Sequence, residues 1–140
     1  MKSKVNENNQ LQWNKFEEHR KVWNKEIINA KEADQLQVSA SSVLREHIEP
    51  GGQVMPHHHS VAELIHITIG KVELLREDGW HKYEQGDTFL IPQGVVHSVR
   101  NVSEDISEQI SIFLPVNESN IGNVFFDTML VEGEESLSHG

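Results

Sequence analysis

The sequence predicts an all-β sandwich or barrel with a short N-terminal flank that is helical or irregular. Two observations carry this. From about residue 36 the apolar residues recur with a period of two, the spacing of strands that bury one face. The runs are short, and each is bounded by Gly, Pro, Asn or Asp, so turn signals return at about the eight-to-twelve-residue interval of sandwiches and barrels. Size adds a limit: 140 residues suit one domain and are too few for two ordinary ones.

The elements follow in order. Residues 1 to about 10 are polar and Asn-rich, and no ordered structure is expected there unless a partner ties the segment down. Trp13, Phe16, Trp23 and Ile27 then stand three, seven and four apart, a spacing that predicts an amphipathic helix lying as a lid or flank on the main core. "VSASSVLREHIEPGG" reads as a strand ending in a Pro-Gly-Gly turn, and "AELIHITIG" alternates until Gly70. "KVELLREDGWHKYEQGD" reads as two strands around an Asp78-Gly79 hairpin turn. "TFLIPQGVVHSVRNVS" and "EQISIFLPV" continue the series, and a last apolar run, "NVFFDTMLV", precedes an acidic end expected to be solvated. The expected organisation is a flank over 1–38, a barrel core over 39–116, and a C-terminal strand or helix with its acidic tail over 117–140.

Composition removes several function classes. The formal charge of -10, from 12 basic and 22 acidic residues, repels phosphate backbones and anionic lipid surfaces. Nucleic acid and membrane are therefore not expected as partners. The absence of cysteine rules out disulfides, thiolate metal sites and cysteine nucleophiles. The N-terminal stretch has no apolar signal region and no run approaches a membrane span, so the expectation is a cytoplasmic protein.

The residues with the most chemistry lie in "GGQVMPHHHSVAELIHITIG", residues 51–70. His57 and His59 differ by two, so on extended backbone both imidazoles point to one face, while His58 points to the other as a rim residue. Glu63 has the same parity. Two imidazoles and one carboxylate form a facial set that suits first-row divalent ions, and His97 in "IPQGVVHSV" is the candidate fourth ligand.

At this point the sequence resembles the cupin superfamily, and specifically its small single-domain members. Gly51, His57, His59, Glu63 and Gly70 stand at the spacings of the first cupin motif. Gly86, Pro92, Gly94, His97 and Asn101 do the same for the second, and the resemblance covers about residues 40 to 115. It implies a double-stranded β-helix barrel of the jelly-roll kind, with His57, His59, Glu63 and His97 binding one metal inside it. Cupins that have lost their metal usually show a replaced ligand, and here all four are present. Gly70, Gly86 and Gly94 fall where strands turn sharply.

A fifth residue is added by parity. Leu44 and Ile48 share even numbering in "SVLREHIE", so if they face the core Glu46 does too, with Arg45 and His47 outside. Glu46 is then a candidate general base; the alternatives are a different register or a glutamate in water at the barrel mouth. His66 is expected on an outer or subunit surface, and His19, His47, His81 and His139 in solvent. Trp80 and Tyr83 could line the mouth, with packing the favoured role.

The expected cofactor is one divalent transition metal ion: Fe, Mn, Ni, Zn or Cu. The resemblance implies a metal-dependent enzyme acting on a small chelating organic molecule such as a carboxylate, with oxygenase-type chemistry. The alternatives are a metal-anchored binding or sensing module without turnover, or a non-oxidative lyase or isomerase. A homodimer is expected, because small cupins pair through a sheet or exchange terminal strands.

Overall fold

A computed structural model describes residues 2–37, 42–114 and 128–131. The chain runs through a 3-10 turn at Asn8–Gln10, β1 (Asn14–Lys15), β2 (Arg20–Ile28), α1 (Ala30–Leu36), β3 (Ser42–His58), β4 (Ala62–Ile69), β5 (Lys71–Arg76), β6 (Gly79–Glu84), β7 (Thr88–Ile91), β8 (His97–Arg100), β9 (Ser107–Leu114) and β10 (Met129–Leu130). All pairings are antiparallel and join one curled sheet in the order β6-β5-β8-β3-β9-β4-β7, with β2 and β10 also on β3. This is the jelly-roll β architecture that the resemblance implies. His139 and the acidic end lie outside the described residues.

The inner face holds Ile48, Val54, Ile65, Ile67, Val72, Leu74, Phe89, Ile91 and Val99 in one buried cluster, joined by Val22. Leu44, Val61 and Phe113 form a second, and Phe16 packs against both. Alternation along β3 matches the expected parity: Leu44, Glu46 and Ile48 are buried, while Arg45 and His47 lie on the other face. Outside, Arg45 pairs with Glu108 at 2.6 Å and stacks 5.0 Å over Trp13.

Past the Pro50-Gly51-Gly52 bend the parity changes. A register shift between Val54 and His57 moves the inward set from even to odd numbers, which brings His57 inside. Gly52 makes this bend possible by close approach, since a Cβ there would lie 2.8 Å from the Lys21 carbonyl and 2.9 Å from the Arg20 carbonyl. Gly70 carries φ +89°, and a Cβ would meet the Ile106 carbonyl at 2.7 Å. No other residue fits that turn without moving backbone.

The N-terminal flank corrects two expectations. It contains a helix, but at Ala30–Leu36; the Trp13–Ile27 stretch is extended instead, with β2 paired along β3. The 17-residue β3 needs a partner for its long edge, and the β-branched and aromatic residues Val22, Trp23, Ile27 and Ile28 suit that edge better than a helix surface. The polar start is also ordered, because its partner is the same chain. Lys4 reaches Glu32 at 2.6 Å, and Asn8 accepts from the buried Lys25 ammonium at 2.8 Å.

Candidate metal centre

Three strands bring the four expected ligands together. His57 is the next-to-last residue of β3 and stands opposite His97, the first residue of β8; Glu63 lies near the start of β4, and His59 sits in the connection between β3 and β4. One ligand atom from each lies within 4.8 Å of all the others, and all four side chains are buried. The contacts are direct: His57 Nε2 to His59 Nε2 at 2.9 Å, His97 Nε2 to Glu63 Oε1 at 2.8 Å, and His59 Nε2 to the same oxygen at 3.2 Å.

Backbone carbonyls orient the rings. His57 Nδ1 donates to the Met55 carbonyl at 2.6 Å and His97 Nδ1 donates to the Val95 carbonyl at 3.0 Å. Each donation leaves the Nε2 lone pair aimed inward, the usual way an outer partner prepares a ligating imidazole. His59 is held by the Phe113 ring, 5.1 Å away and nearly perpendicular, with Thr128 Oγ1 at 3.4 Å from its Nδ1.

The electrostatics point the same way. Burial, with the neighbouring His97 and His59, pushes His57 down to about 2, so its ring is neutral. For His97, burial works against charge but the Glu63 carboxylate outweighs it and raises the ring. Burial likewise acts to raise Glu63, yet hydrogen bonds from His59 and His97 hold it well below the usual carboxylate range. An ionised carboxylate with three imidazole Nε2 atoms converging on it suits a positive charge at their centre. A proton serves at Glu63–His97; a divalent cation satisfies the whole set. Three imidazoles and one carboxylate fit a first-row transition ion and leave positions open on an octahedral one.

Glu46 faces inward on β3, buried at 4 % exposure. Its Oε1 accepts from the Gln109 amide at 3.0 Å and from the Ser111 hydroxyl. Burial, then the charge of Glu63, raises this carboxyl to about 7. Of the alternatives set out for Glu46, the mouth position in water does not apply.

His19 departs from its solvent-exposed expectation. It stacks 5.4 Å from the His57 ring, and its Nδ1 accepts the Met55 N–H at 3.0 Å. Burial pushes it down to about 4, so it too is neutral. Its place depends on β2 crossing β3, which no local spacing encodes. His47 is also half-buried rather than in solvent, edge-on to Trp13 at 5.5 Å. His81 is partly exposed and bonded to Asp78 at 2.6 Å, and His66 contacts Thr88 Oγ1 at 2.8 Å on the outer face.

A cavity of about 340 Å³ reaches His97 from between β5, β6 and β7. Tyr83 lines it, held edge-on to Phe89 at 5.0 Å, whereas Trp80 packs beneath the Arg100 guanidinium at 3.8 Å. A wider groove of about 420 Å³ around Lys71, Glu73, Lys82 and Asp87 touches none of the four ligands.

Comparison with known proteins agrees with this architecture. The profile of the cupin domain matches residues 44–113. Among solved structures, the polyketide cyclase RemF of Streptomyces resistomycificus superposes with a TM-score of 0.73 at 13% identity, over 99% of this chain and 92% of that one. A predicted oxalate decarboxylase of Thermotoga maritima gives 0.71 at 17% identity, over 81% of this chain and 100% of that one. The oxalate decarboxylase of Bacillus subtilis, described with Mn(II) centres, gives 0.65 at 18% identity, over 88% of this chain but 31% of that one. At these identities the likeness is one of fold. No protein of curated function matches the sequence.

Proposed function

This chain belongs to the cupin domain family, and from that premise we propose that it is a metal-dependent enzyme acting on a small chelating organic substrate. The observation that carries the reading is the buried convergence of three Nε2 atoms and one carboxylate oxygen, with a cavity leading to it. His57, His59, Glu63 and His97 would hold one divalent ion. When bound, that ion supplies Lewis acidity toward a chelated carbonyl or carboxylate. The manganese of the Bacillus structures makes Mn(II) the first ion to try.

The residues around it define what the chain itself does. The Met55 and Val95 carbonyls fix two rings so that no rotation is needed on loading. The apolar wall of Leu74, Phe89, Ile91 and Val95 excludes water from the bound molecule. Glu46, the buried inward carboxyl on β3, would exchange a proton as the general base, and a bound cation would favour its ionised, proton-accepting form. With Oε1 committed to Gln109 and Ser111, Oε2 is the oxygen that takes a proton from substrate carbon and returns it to another atom.

Glu46 therefore favours proton-transfer chemistry of the isomerase or lyase kind. Oxygenase-type chemistry is the second reading, supported by the positions that four protein ligands leave open. Metal analysis of untagged protein tests the centre, with about one transition ion per chain expected and less than a tenth of that refuting it. Incubation with 2-oxo and 2-hydroxy acids in deuterated buffer, under an oxygen electrode, separates the reactions. Deuterium uptake at carbon without oxygen consumption supports the first; stoichiometric oxygen consumption supports the second.

A further inference from the structure

The cavity at His97 carries a cation that the centre does not use. Arg76 is the last residue of β5 and lines this cavity together with Leu74, Phe89 and His97. Along β5 the even positions face inward: Val72 and Leu74 are both core residues, and Arg76 continues that face. The pairing with β8 runs Glu73 to Arg100, Leu74 to Val99 and Leu75 to Ser98, and the next residue of each strand, Arg76 and His97, lines the same cavity. Arg76 itself is exposed, at the rim of the cavity whose wall includes His97.

Its partners differ from those of Arg45 and Arg100. Arg45 holds Glu108 at 2.6 Å and Arg100 holds Glu73 at 2.8 Å. Arg76 donates Nη1–H to the Tyr83 hydroxyl at 3.0 Å and makes no ion pair with a described carboxylate. Glu77 shares the rim without pairing, and Asp78 is engaged by His81. Both carboxylates act on the guanidinium through their charge without forming an ion pair with it. Tyr83, its own ring against Phe89, occupies one of the five N–H donors of the guanidinium and leaves four for another acceptor.

We propose that this cavity takes a small organic acid with two polar ends: a chelating end at the four-ligand centre and a carboxylate held by Arg76, joined by an apolar body against Leu74 and Phe89. Arg76 is then the residue that sets specificity for the second anionic group. The inference rests on the metal-enzyme reading of the same site.

A matched pair of probes tests it. 2-Oxopentanedioate and 2-oxopentanoate share chain length and chelating end, and differ in the distal carboxylate. Each is titrated into Co(II)-loaded protein and followed by the visible Co(II) bands, with metal content measured in parallel. The wild type is expected to prefer the diacid about tenfold or more, the range of a charge-assisted hydrogen-bonded pair. Arg76→Gln removes that preference at unchanged Co(II) stoichiometry, and Arg76→Lys restores part of it. Arg76 is exposed with a single hydroxyl partner, so both variants are expected to fold. Full Co(II) loading with no preference in the wild type, or an undiminished preference in Arg76→Gln, overturns this inference alone. A wild type that takes up no Co(II) overturns the metal reading and this inference with it.

Discussion

In metal-free protein, Glu46→Gln should raise stability at alkaline pH and leave it nearly unchanged in acid. Burial, followed by the charge of Glu63, moves the folded carboxyl from 4.5 to about 7. Between those values the unfolded chain has released its proton and the folded chain has kept it. The unfolded state thus binds fewer protons, and stability falls as pH rises through the window. At about 1.4 kcal/mol per pH unit, the loss is about 3 kcal/mol once pH exceeds the folded value. Glutamine stays neutral throughout, and its Oε1 still accepts from Gln109 and Ser111, the two donors that hold the glutamate. Urea unfolding with a chelator present, read by fluorescence of the three tryptophans, compares the two proteins at pH 4.5 and pH 8. Near equality in acid and an advantage of about 3 kcal/mol to the variant at pH 8 are expected. A difference that does not change with pH would refute the reasoning, as would a wild type that gains on the variant at pH 8. Loading with Mn(II) should narrow the gap, because a nearby cation favours the ionised carboxylate.

Other perturbations separate the centre from the scaffold. His59→Ala should lose stoichiometric metal by elemental analysis while keeping the β circular dichroism; full occupancy would contradict its place among the ligands. His19→Phe keeps a ring against His57 but removes the acceptor for the Met55 N–H, and should weaken metal affinity about tenfold in competition with a chelating dye. Gly70→Ala places a Cβ 2.7 Å from the Ile106 carbonyl at φ +89° and should cost about 2 kcal/mol or more in a urea melt. A loss under half that would show that the turn yields.

The four candidate ligands could be picked out in the sequence because their spacing is local and each is a residue type that metal chemistry demands, and the structure brings them together. The inward face of Glu46 was legible for a similar reason, since Leu44 and Ile48 alternate around it. The parity of His57 relative to Val54 was not, because the bulge that changes it depends on the pairing of β3 with β8. The spacing of Trp13, Phe16, Trp23 and Ile27 fits a helix as well as it fits any local template. What decides for a strand is the open edge of β3, at positions such as Arg45 and His47 that face Lys25 and Trp23 across the pairing. His19 follows from that strand, and the place of Arg76 from the end of β5 meeting the cavity that His97 lines. In both cases the signal is a non-local neighbour rather than a motif.

Met55 belongs to two structures at once: its carbonyl accepts the hydrogen bond of His57 Nδ1–H, and its amide N–H donates one to His19 Nδ1. The amino-terminal strand and the metal centre are thereby tied through a single residue, and thermodynamic reciprocity makes the tie run both ways. Whatever clamps that strand would tighten the hold on a bound ion, and stripping the ion would loosen the strand. Slow amide hydrogen exchange at Met55 in loaded protein, quickening on chelation, would register that coupling directly.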